Sequence, residues 1–230
     1  VTEVLIMAMT QMRSGICTAG FVASDSGQLE WVRPVKEHRS LLPGDMTTRD
    51  GELIRMDDVV DLALLSRRPQ DNHIEDRITD FVHRRPRIVR RLTGDRRARF
   101  LAEHCDPNPA EVLVDPIRSL CLIHPDDLWA SFSLDRYSGK FQARMGFHLP
   151  AAPNLDAASD RGITVTDLRW RALGQRWLAG GPPVLHLSRN DLRTRLPTDD
   201  IYLSIGLSRP YQGRQWPLVI GVHCVPDYGD

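Results

Sequence analysis

Cysteine is scarce in this chain. Cys17, Cys105, Cys121 and Cys224 are the only four in 230 residues and none shares a CxxC spacing. Neither a disulfide scaffold nor a four-cysteine zinc site is indicated, and no metal or cofactor is expected. Lysine is nearly missing: Lys36 and Lys140 stand against an otherwise all-arginine basic set, a bias given little functional weight. Net charge is also lacking, with 30 basic residues balancing 30 acidic ones, so no global field advertises a polyanionic partner. No hydrophobic run is long enough to span a membrane. The apolar start ends at Thr10 and carries Glu3 where a secretory leader would carry lysines, so a reduced, cytoplasmic protein is expected. Walker A, dinucleotide, GxSxG and HExxH signatures are all missing, and no catalytic residue is assigned.

What is present reads as short strands. Glu3 to Met9 is apolar without helical spacing, and Ile16 to Ala23 follows a polar break; both read as buried strands. Asp25-Ser26-Gly27 is turn chemistry. Leu29 to Arg33 resumes an extended run that Pro34 is expected to place at an edge or end. Asp58 to Leu65 supplies a fourth strand. Short strands at this density, punctuated by Gly and Pro, indicate a small barrel.

From Arg84 to Arg99 the character changes. Arg84, Arg85, Arg87, Arg90, Arg91, Arg96, Arg97 and Arg99 are opposed only by Asp95. Phe81 to Asp115 reads as a mostly helical connector, with Asp95 as N-cap and Pro107 and Pro109 as terminators. Strand patterning then returns. Leu128, Ala130, Phe132 and Leu134 alternate with polar positions, as do Phe141, Ala143, Met145 and Phe147, and Arg136 to Lys140 closes the hairpin. Pro150 to Gly162 reads as a loop and Ile163 to Leu173 as an extended run. Strands are also expected at Pro182 to Leu187, Ile201 to Leu207 and Leu218 to Val225. The expected fold is mainly β: a first barrel over 1–80, an Arg-rich helical connector over 81–118 and a second barrel over 119–230.

Several stretches carry a resemblance. Arg13 to Gly20, Trp31-Val32-Arg33-Pro34-Val35, Leu41 to Asp45 and Asn72-His73-Ile74-Glu75-Asp76 resemble the opening half of the dual OB-domain-containing proteins of bacteria. Leu203 to Tyr211 with Trp216 to Val222 is similar to that family's closing hairpin. Arg77 departs from the pattern, standing where the family often has an aromatic. The resemblance implies two tandem OB-like barrels, and it suggests nucleic-acid association in a defence or mobile-element setting.

Three functions are open at this level. In the first, a single-stranded or structured DNA or RNA binds the arginine block through released counterions and stacks on a barrel face. Its candidate residues are Arg84, Arg85, Arg87, Arg90, Arg91, Arg96 and Arg97, the pair Trp31 and Arg33, and Trp129 with Arg144. Trp170 and Tyr211 are further aromatics flanked by arginine. Acids such as Asp57, Asp58 and Asp76 are equally able to fold back and neutralise the block. In the second function the block docks an acidic protein partner. In the third, His73, Glu75 and Arg33 form a small-ligand or nucleotide-processing site. Cys17, in an apolar strand, reads as packing.

Overall fold

The computed structural model describes residues 2–12, 14–149, 161–196, 198 and 200–229. Most of the loop expected over Pro150 to Gly162 lies outside them. The first half opens with a meander, β1 (Thr2–Met12), β2 (Gly15–Ala23) and β3 (Leu29–Val35), and continues with β4 (Asp58–Leu62), β5 (Leu64–Arg67), β6 (Asp76–Thr79) and β7 (Arg87–Arg91). Helices α1 (Gly94–Glu103) and α2 (Ala110–Leu113) lead to β8 (Leu120–Ile123), β9 (Asp126–Leu134), β10 (Phe141–His148) and β11 (Ile163–Val165). The chain ends with α3 (Leu168–Leu178), β12 (Val184–Leu187), α4 (Arg189–Arg195), β13 (Asp200–Leu207) and β14 (Pro217–Val225).

The strands form two sheets with the same wiring. In the first, β1 pairs antiparallel with β2 and β2 with β3, while β3 runs parallel to β6. Only Ala63 separates β4 from β5, so one extended segment pairs with β1 by its first half and with β6 by its second. That segment closes the circuit. In the second sheet only His124 and Pro125 separate β8 from β9, and this segment pairs with β13 by its first half and with β10 by its second. β10 continues to β11, β11 runs parallel to β14, and β14 returns antiparallel to β13. Each half is thus a five-stranded Greek-key barrel in which strand one meets strand four and strand three lies parallel to strand five, the OB arrangement.

The hydrophobic pattern explains how the barrels meet. Val4, Ile6 and Met9 of β1 fill the first barrel with Val22, Val32, Met46 and Val60. The opposite face of β1 carries Leu5 and Met7, which pack with Phe21, Val59, Leu101, Leu122 and Tyr202 between the barrels. β1 is therefore buried on both faces, which is why its sequence is a continuous apolar run without alternation. The approach is close enough that a Cβ on Gly221 of β14 would collide with the Met7 carbonyl. The second barrel encloses Leu128, Ala130, Phe132, Met145, Phe147 and Trp170.

Two expectations are corrected. The helical connector is present as α1 and α2, but its first part is not helical: Arg87–Arg91 is a strand that extends the first sheet through β4, with Ile88 packed on the first core. The extended run Ile163 to Leu173 ends at Val165 and becomes α3. Asp167 caps that helix by accepting from the Arg169 and Trp170 amides, and Trp170, Leu173 and Leu178 present one buried face. Pro34 falls at the end of β3, as expected: β3 pairs with β2 through Val32 and with β6 from Arg33 onward. The Arg33 amide donates to Glu75 O of the β6 side, so by alternation the imide of Pro34 faces β2, where no hydrogen bond is made.

Candidate functional site

That change of partner at Pro34 opens a cleft. β2 stays with β1 while β3 leaves with β6, and a cavity of about 550 Å³ lies between them and the second barrel. Its floor is apolar, from Ala8, Ala19, Leu218 and Ile220. Its rim is basic: Arg33, Lys36, Arg39, Arg68 and Arg209 line it against the acids Glu37 and Asp76. Arg68 is held by the Lys36 and Glu37 carbonyls, and Lys36 is bridged to Asp45 at 2.8 Å. Arg39 is exposed.

One wall is a polar clasp joining the barrels. Glu75 accepts from the Ser119 amide at 2.7 Å, the Leu120 amide at 3.0 Å and the Ser119 hydroxyl at 2.8 Å. Arg33 donates to Asp76 at 2.9 Å and to Ser119 Oγ at 2.9 Å. The second oxygen of Asp76 takes Arg209. Asn72 and Gln215 exchange both amide bonds at 2.7 Å. His73 places Nε2 3.2 Å from the Leu207 carbonyl; burial, with Arg33 and Arg209 nearby, lowers its pKa to about 4. His73 is therefore neutral at pH 7, with Nε2 carrying the proton toward Leu207.

The third sequence reading thus found real neighbours: Arg33, His73, Glu75 and Asp76 do converge. Every oxygen of both carboxylates is engaged in the clasp, however, an arrangement suited to holding the barrels together. Cys17 lines the cleft, and burial raises its thiol pKa. Ser119 was missed from sequence, and Arg209 was read only as a basic neighbour of Tyr211. No local signal marks Ser119, because its partners are 44 and 86 residues away.

Half of the arginine block is folded back onto acids. Arg87 pairs with Asp61 at 3.0 Å, Arg90 with Glu3 at 2.5 Å, and Arg91 with Asp58 at 2.6 Å. Arg97 is buried, bonding Asp57 at 2.7 Å and the Cys224 carbonyl at 2.6 Å. Arg85 donates to the Gly44 carbonyl. Arg84, Arg96 and Arg99 are exposed and make no ion pair with a described residue.

Trp31 packs against Phe21, tilted, with ring centroids 4.2 Å apart, at the inter-barrel core. Trp129 lies over Gly146 and Gly162, where an added Cβ would fall inside or against the indole, and it neighbours His186 at 5.0 Å. Arg144 donates to the Arg161 and Gly162 carbonyls at 3.1 Å. Trp170 is completely buried in the second core. Among the described residues no cluster of three metal-ligating side chains exists and no helix is long and apolar enough to cross a membrane.

Two OB barrels clasped around a shared basic cleft define a mainly β, dual-barrel protein. The chain belongs to the dual OB-containing domain family, whose model matches residues 2–172, from β1 into α3. No curated protein and no solved structure matches it.

Proposed function

We propose that the protein binds a nucleic-acid strand, DNA or RNA, in the cleft between the barrels. One observation carries this reading. The cleft occupies the β2–β3 face of the first barrel, between its strand 1–2 turn and its strand 4–5 loop, the surface on which OB folds take oligonucleotides. The strand 4–5 loop of the second barrel, beginning at Ser208 and Arg209, forms the opposite wall. An apolar floor under a basic rim suits bases turned inward and phosphates held outside. Arg84, Arg96 and Arg99, exposed elsewhere on the surface, add attraction at longer range.

Fluorescence anisotropy with short single- and double-stranded DNA and RNA across a salt series tests this. Affinity should fall with salt, and replacing Arg39 and Arg68 by Gln should flatten the log–log slope by about 0.7 per charge for a single strand. Salt-indifferent binding, or none, would remove the reading. The second reading, an acidic protein partner, is favoured by the zero net charge and by β7, which pairs on one side only and carries arginines at a sheet edge. Stoichiometric co-purification of a protein without nucleic acid would select it.

A further inference from the structure

The hairpin between β13 and β14 has a feature that the cleft alone does not explain. Tyr211 and Arg214 exchange backbone hydrogen bonds of 2.8 and 3.1 Å, and the residues between them, Gln212 and Gly213, both have positive φ, 52° and 72°. This is the tight primed turn whose twist matches its strands. At the base, the Ser208 amide donates to the Trp216 carbonyl at 2.9 Å and the Trp216 amide to Ser208 Oγ at 3.0 Å. Between tip and base, Gln215 is locked to Asn72 of the first barrel and donates to the Ser208 carbonyl. The backbone is thus fixed at three points.

The aromatic side chains it carries are nevertheless in water. Tyr211 is 69% exposed and Trp216 52%, and neither ring packs on another aromatic among the described residues. A stiff hairpin that holds two large rings out of every core is a preorganised contact surface. Trp129 and Trp31 differ, since their ring faces are spent on glycine and on Phe21. The hairpin also adjoins the cleft: Ser208, Arg209 and Leu218 line it on either side of the turn. Arg209 and Arg214 flank the rings. The segment lies beyond residue 172, where the family match ends.

We propose that this hairpin is a base-stacking arm: Trp216, with Tyr211, takes unpaired bases of a strand whose phosphates run along Arg209 and the cleft rim, so the ligand is single-stranded. The inference rests on the nucleic-acid reading above and adds the strandedness and the residues that select it. In a duplex the base faces are covered by their neighbours, so a ring can stack only where a strand is open. The two barrels accordingly build one composite site from their strand 4–5 loops, not two separate ones.

The experiment uses the intact protein with a mixed-sequence single strand and the matching duplex as probes. Trp216→Ala should weaken single-strand binding by about tenfold or more, and Trp216→Phe should recover most of it. The salt slope should stay at its wild-type value, because no charge is removed, and the melting temperature should hold, because the ring is solvent-facing. Quenching of tryptophan emission on strand addition should be lost with Trp216. Undiminished single-strand affinity in Trp216→Ala, or equal affinity of the wild type for duplex, would overturn the stacking arm while leaving the cleft reading intact. Binding to neither probe would overturn both.

Discussion

Replacing Glu75 by Ala is the sharpest perturbation of the clasp. Glu75 is 7% exposed and its two oxygens accept three hydrogen bonds from the second barrel, from the Ser119 amide, the Ser119 hydroxyl and the Leu120 amide. Hydrogen bonds to a charged group contribute about 1.5–3 kcal/mol each, and a buried donor left unmatched costs a similar amount. The three share one side chain, so they do not add fully, and the expected loss is about 4 kcal/mol. At about 2–4 °C per kcal/mol for a chain of this size, the melting temperature should drop by about 10 °C. Glu75→Gln is the control. Its carbonyl oxygen can still accept both backbone amides, and its NH₂ can donate to Ser119 Oγ, which already accepts from Arg33. The hydroxyl proton then loses its acceptor, at a cost of about 1 kcal/mol. Urea and thermal unfolding monitored by tryptophan fluorescence read both variants. A loss under about 1 kcal/mol for Glu75→Ala, or equal losses for the two variants, would refute the clasp.

The arginine block should divide sharply. Arg97→Gln breaks a buried pair with Asp57 and should cost about 3–5 kcal/mol, whereas Arg96→Gln, on the exposed face of α1, should stay within about 0.5 kcal/mol; equal effects in chemical denaturation would contradict the fold-back. Acid should destabilise the protein through its buried histidines. Burial lowers His223 to about 3, with Arg97 and Arg169 adding to the shift, and lowers His73 to about 4. Both folded values lie below the unfolded one near 6.5, so the unfolded state takes up protons first and stability falls as pH drops below about 6.5. The loss between pH 7 and 5 is about 2 kcal/mol for each histidine. Asp167, raised by burial to about 6, acts in the opposite direction. The diagnostic is therefore a difference: His223→Gln, which can keep the bond to Ser204, should lose less stability than the wild type between pH 7 and 5. Parallel melting curves over that range would be the contrary result.

Local chemistry alone determined a great deal. Alternation named the buried face of β9 and β10 correctly, Leu128, Ala130 and Phe132 against Ala143, Met145 and Phe147, because a strand with one wet face must alternate. The motifs around Arg33 and His73 pointed to a dual OB family, and the family match agrees. The unalternated run of β1 marked a strand buried on both sides, but only the tertiary structure showed that its second neighbour is the other barrel. Composition could count the arginines of 84–99 but not assign their partners. Glu3, Asp57, Asp58 and Asp61 reach them across 26 to 87 residues of chain, and charge in a sequence window does not record which face it will occupy. The strand Arg87–Arg91 looked like connector because its apolar Ile88 and Val89 are outnumbered by arginines, and a strand is recognised by the sheet that accepts it. The cleft, too, is a tertiary object. It exists because Pro34 has no amide to give β2, and because Glu75 and Asp76 meet Ser119 and Arg209 from a barrel folded separately along the chain.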